Sequence, residues 1–173
     1  MRRSLVLLLV VAAAGIALYL TPVPERVAPR DGVRGPRVVK IASAAVERLV
    51  LTHADRRLDA RRDASGWSVD GRPSGAPLRD ALDDLVDVVT GLRAVDRFRA
   101  SDDAPYGLDD PPGALEIVGG GRHIRLVLGR LNAAGSAVYA RRDGAPRVLL
   151  LGAYLLSSLD RVFYQWGRER AAG

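Results

Sequence analysis

The longest apolar run comes first in the chain. Ser4 to Leu20 reads SLVLLLVVAAAGIALYL, 17 positions without a charge. As a helix rising about 1.5 Å per residue it is about 25 Å long, near the lower limit for crossing a hydrocarbon core of ~30 Å. Two readings compete. One is a cleaved signal peptide with Arg2 and Arg3 as its basic start; the other is an uncleaved anchor over residues 4–20. Small residues should follow the run at a cleavage site, yet Ala12 to Ala14 lie inside it and Tyr19-Leu20 are bulky, which favours the anchor. Residues 21–36 carry Pro22, Pro24, Pro29 and Pro36 with Gly32 and Gly35, a composition for an extended spacer that holds the remaining chain clear of lipid headgroups.

Beyond the spacer the pattern changes to short strands. Val38 to Ala42, Arg48 to His53, Arg57 to Arg62 and Trp67 to Val69 alternate with turn residues, as an antiparallel meander does. Leu78, Ala81, Leu82, Leu85, Val88, Val89 and Leu92 recur at steps of three and four. They predict a helix from Pro77 with one apolar stripe. Ala94 to Ala100 reads as a strand and Ser101 to Gly113 as a loop. Leu115 and Ile117, then Ile124, Leu126 and Leu128, alternate about Gly119-Gly120-Gly121, which predicts a hairpin with one buried face. Val138 to Arg142 and Val148 to Leu151 form a second hairpin across Asp143-Gly144. Leu155, Leu156, Leu159, Val162, Phe163 and Trp166 predict a second helix. The expected fold over residues 37–168 is α+β: a mostly antiparallel sheet of short strands with two amphipathic helices packed on it.

Certain residues carry a resemblance. They are Gly66-Trp67-Ser68-Val69 with Pro73, Tyr106-Gly107-Leu108 followed by Pro111-Pro112, the hairpin ending Leu126-Val127-Leu128-Gly129, and Val138-Tyr139-Ala140-Arg141. With the strands upstream they resemble a bacterial membrane-anchored family, the domain of unknown function numbered 4340, here in a short, single-copy form. Its helix often starts with Ala-Asp, where this chain has Ala76-Pro77. The resemblance implies an extracytoplasmic domain and an association with ABC-type transport or envelope-assembly complexes. It defines no catalytic residue.

Composition then narrows the chemistry. Zero Cys excludes a disulfide scaffold, a thiol nucleophile and a cysteine metal site. The single Lys, Lys40, belongs to no phosphate-binding loop. His53 and His123 stand far apart without ligand spacing, so no metal and no cofactor are expected. The doublets Asp83-Asp84, Asp102-Asp103 and Asp109-Asp110 read as a solvated helix face and turns rather than a catalytic pair. Ser74 lacks nucleophile-elbow spacing and belongs to the loop that starts the helix. No catalytic residue is assigned, and an extracytoplasmic hydrolase is the least favoured function.

Two candidate surfaces remain. Trp67, Tyr106, Gly107, Leu108, Pro112 and Tyr139 form a structural signature or a partner surface. Arg57, Arg61 and Arg62 form a candidate anion patch on an arginine-rich hairpin, for lipid headgroups or polysaccharide. Arginines after the apolar run favour an inverted insertion by count. Even so, a three-residue tail and a long trailing domain favour the N-terminus inside. The expectation is a non-enzymatic, single-pass protein of the cytoplasmic membrane. Its domain lies on the extracytoplasmic side, periplasmic or cell-surface, and binds a membrane-protein partner and no nucleic acid.

Overall fold

The computed structural model describes residues 35–172. The apolar run 4–20 and the spacer up to residue 34 lie outside the described residues, as do the expectations that fall on them. Among the described residues no helix is long and apolar enough to cross a membrane.

Among the described residues nine strands form one sheet, antiparallel at every pairing. In chain order they are β1 (Val46–His53), β2 (Arg56–Asp63), β3 (Gly66–Val69) and β4 (Arg72–Pro73), then helix α1 (Ala76–Gly91). They continue with β5 (Asp96–Phe98), β6 (Gly113–Gly119), β7 (Arg122–Leu131), β8 (Ala137–Arg142) and β9 (Val148–Gly152), then helix α2 (Tyr154–Ala172). Across the sheet the order is β4-β3-β2-β1-β6-β7-β8-β9-β5. Two meanders therefore meet at the β1–β6 pairing, and β5, which follows α1, closes the far edge of the second.

The β6–β7 hairpin forms as its alternation predicts. Ile117 pairs with Ile124 and Leu115 with Leu126. Gly120 and Gly121 both take positive φ, +56° and +70°. A two-residue turn needs such angles to match the twist of its strands, and glycine adopts them without a Cβ clash. Helix α1 begins after Gly75, in extended backbone, with Pro77 in its first turn. It buries Leu78, Ala81, Leu82, Leu85, Val86 and Val89. Helix α2 buries Leu155, Leu159, Val162 and Phe163. Both helices lie on one face of the sheet, against Leu49, Leu51, Leu58, Leu115, Ile117 and Leu126. Each fully buried leucine contributes about 1.5–3 kcal/mol of transfer free energy. Among the described residues the opposite face carries no helix.

Three expectations change. Val38 to Ala42 is not a strand: Val38 N–H donates to the Leu92 carbonyl, Arg37 bridges to Arg93, and a 3₁₀ turn follows at Ser43–Ala45. Val38, Val39 and Ile41 are all buried, so they fill the core as a plug instead of pairing. The strand expected over Ala94 to Ala100 shortens to β5, because only Asp96 to Phe98 find ladder partners, Leu150 to Val148 of β9. Finally, α2 runs past residue 168 to Ala172 and carries Glu169 into the fold.

Candidate functional site

The helix-free face of the sheet holds most of the candidate residues. At its β5 end, three half-buried aromatic rings meet. Tyr106 and Tyr139 stand 4.9 Å apart between centroids, Phe98 and Tyr106 5.2 Å, and Phe98 and Tyr139 6.4 Å, all edge-to-face. That geometry suits the ring quadrupoles. Phe98 comes from β5, Tyr139 from β8, and Tyr106 from a 3₁₀ turn at Ala104–Tyr106 in the loop before β6.

The loop is fixed by close contact with β7. Gly107 sits in the left-handed region at φ +65°, and a Cβ there would lie 3.2 Å from the Arg130 backbone nitrogen. A Cβ on Gly129 would lie 2.2 Å from the Tyr106 carbonyl oxygen. Gly129 thus lets the loop cross β7 at a distance no side chain permits, and Gly107 supplies the left-handed turn and a tight approach beside it. β7 itself has a register shift between Leu128 and Leu131 at this crossing. Leu108 is buried beneath the loop.

Polar groups complete the clasp. Arg141 on β8 donates two bonds to the Asp103 carboxylate, one of them 2.7 Å long. Arg130 donates to the Ala104 carbonyl at 2.9 Å. The Asp103 carbonyl accepts from the N–H groups of Tyr106 and Leu108. The Arg141 guanidinium, chiefly through its hydrogen bonds, holds the Asp103 carboxyl below its ordinary pKa, and Asp103 raises that of Arg141.

Toward β2 the same face is charged. Arg48 Nε donates to Asp59 at 2.8 Å, and Arg61 lies 4.0 Å from the same carboxylate. Glu116 stands 3.6 Å from Arg125 and 3.3 Å from His123. The Arg48 hydrogen bond lowers the pKa of Asp59 against the opposing effect of partial burial.

The structure divides both candidate sets. Tyr106, Gly107, Leu108 and Tyr139 converge at the clasp. Pro112 is exposed at the start of β6, where its carbonyl accepts from Ala54 N–H. Trp67 lies on the other face, buried under α1, with its indole N–H donated to Asp83 at 2.8 Å. Arg57 and Arg61 project from the helix-free face, being paired with Thr52 and Arg48. Arg62 pairs with Trp67 and points to the helix side, 5.5 Å over the indole and 3.4 Å from Asp83. The neighbouring Arg56 lies 4.7 Å over the Phe163 ring. The hairpin's arginines are therefore spread over two faces and largely engaged.

Asp83 and Asp84 lie on the solvated face of α1 as expected; Asp83, partly exposed, also accepts from the Trp67 indole, and the exposed Asp84 pairs with Arg161. Ser74 precedes the helix as expected but does not cap it: its Oγ is buried without a partner. The amide of Gly75 donates instead to Glu169 at 2.7 Å, from the far end of the chain. No group of carboxylates and imidazoles with metal-ligand geometry occurs among the described residues.

Sequence patterns alone do not single out Phe98, Asp103 or Arg141 as members of this site. The one signal for Phe98 is that it is the sole aromatic residue of its expected strand. The Asp103–Arg141 pair spans 38 positions, and no local pattern encodes it. No family model matches the chain, and neither a curated protein nor a solved structure is similar to it.

Proposed function

We propose that this is a membrane-tethered extracytoplasmic domain without enzymatic activity, which binds a membrane-protein partner through the helix-free face of its sheet. The aromatic cluster of Phe98, Tyr106 and Tyr139 carries this reading. Its rings are partly exposed, lie within 6.4 Å of one another, and are held by a loop that glycine contacts and an ion pair immobilise. Aromatic and arginine side chains with little freedom left to lose are what interface centres use. The tether is read from residues 4–20. The kind of partner, a component of a transport or envelope-assembly complex, rests on the resemblance to the 4340 family.

Photocrosslinking in native membranes tests this. A benzoylphenylalanine at position 106 or 139 of the full chain should give one discrete protein adduct, while the same probe at Ser157 on α2 should not. Disrupting the clasp with Arg141→Ala should reduce the adduct. Equal yields at all three positions would overturn the assignment. Adducts with lipid or glycan alone, lost in Arg57→Ser with Arg61→Ser, would transfer the function to the β1–β2 hairpin.

A further inference from the structure

Four large apolar side chains are exposed among the described residues: Val95 (54%), Leu131 (45%), Tyr154 (52%) and Tyr164 (62%). Three of them gather at one end of the sheet. Leu131 ends β7 opposite Val138. Ala137, next to Val138, pairs with Gly152 of β9, and the Tyr154 ring lies where a Gly152 Cβ would be. Val95 N–H donates to the Leu150 carbonyl just before β5 begins. The three therefore follow one another across β7, β8, β9 and β5, whose spacing is about 4.8 Å per strand.

The described chain also begins at this end. The Gly35 carbonyl accepts from Arg93 Nη1 at 2.7 Å, Arg37 bridges to Arg93, and Val38 binds the carbonyl of Leu92. Arg37 and Arg97 are exposed beside the apolar row. Asp96 is the acidic neighbour, and its carboxylate accepts from the Arg97 N–H.

We infer that this end of the domain docks on an anionic lipid surface, with Val95, Leu131 and Tyr154 in the headgroup boundary and Arg37 and Arg97 at the phosphates. The inference rests on the proposed tether. An apolar row with a tyrosine, flanked by arginines, is the composition that interfacial contacts use. Only sixteen positions separate the apolar run 4–20 from Arg37 in the sequence, so on the proposed tether a bilayer is the surface this end meets at high effective concentration. Docking at this end is the alternative to a domain held clear of the headgroups.

The test exploits the absence of native cysteine. The full chain carrying Val95→Cys, Leu131→Cys, Tyr154→Cys or, as a control, Tyr164→Cys is labelled with an environment-sensitive fluorophore. It is reconstituted into vesicles of phosphatidylcholine with phosphatidylglycerol. Vesicle flotation reports the tether, and a lipid-borne quencher reports docking. Docking requires flotation together with strong quenching at 95, 131 and 154 and weak quenching at 164. Replacing Arg37 and Arg97 by Ser should cut the docked-to-undocked ratio about thirtyfold, since each arginine near an anionic surface is worth about 1 kcal/mol.

Failure to float would overturn the tether and the docking together. Flotation with equal aqueous accessibility at all four positions would overturn the docking alone. Protection of 95, 131 and 154 in detergent without a bilayer would assign the row to a second copy of the chain and overturn the lipid assignment.

Discussion

A methyl group on residue 129 has nowhere to go, because the Tyr106 carbonyl oxygen already occupies its place. Gly129→Ala should therefore lift the 101–113 loop off β7. Chemical denaturation should show a loss of at least the ~1–3 kcal/mol of an overpacked core. At Gly107 the left-handed φ alone adds about 1–2 kcal/mol to any other residue. The ion pairs of this face act through pH. Arg48 and Arg141 depress the folded-state pKa of Asp59 and Asp103. A depressed carboxyl contributes stability that is complete above its unfolded pKa and drains away as pH falls through its folded value. Asp103→Asn should thus be less stable than the native chain at neutral pH, with the gap closing as pH falls below the carboxylate range; thermal melts of both proteins across pH decide this. Tyr106-Gly107-Leu108 is visible in the sequence as a signature within the expected loop from Ser101 to Gly113. The pair that fixes it, Asp103–Arg141, is not, because nothing local links residues 38 apart.

At the scale of elements, alternation and three-four spacing are legible wherever one face is apolar and the other polar. β6, β7 and α1 are of that kind, and their patterns place their cores. Val38, Val39 and Ile41 mislead because a β-branched run looks the same whether it pairs in a sheet or plugs a core. Edge strand β4 has only Arg72 and Pro73 and carries no pattern at all. The start of α1 offers a test of opposite signs. Glu169 accepts the Gly75 amide in place of a local cap, so Glu169→Ala should cost about 0.5–2 kcal/mol, as a lost N-cap does. Ser74 is 6% exposed and its hydroxyl has no partner, so Ser74→Ala should leave stability unchanged or raise it. In the stripe itself, Leu85→Ala should cost about 2–5 kcal/mol in the same unfolding measurement.

At the scale of the whole domain, the sheet ends among the described residues at β4 on one side and β5 on the other, and both edges are blunted. β4 ends one side with Pro73, and β5 ends the other with three residues, two of them charged. Short, charged or proline-bearing edges resist strand addition between copies. Arg72→Val with Pro73→Val should remove that guard, and light scattering should then report concentration-dependent association. The α+β class follows from the order of patterns along the chain, but the order of strands across the sheet does not, since the β1–β6 pairing has no local signature. That pairing joins residues 46–53 to residues 113–119 at the centre of the sheet. Its consequence lies in timing. β1 to β4 and α1 can form local contacts as soon as they emerge, yet the inner edge of β1 stays open until β6 arrives, well after α1. The Gly75 amide waits longer still, for Glu169. Closure over such sequence separation is slow, and an open strand edge is prone to aggregate. A chain synthesised from its N-terminus can therefore complete this domain only after nearly all of it has emerged, and a nascent chain stalled before β6 should remain sensitive to protease.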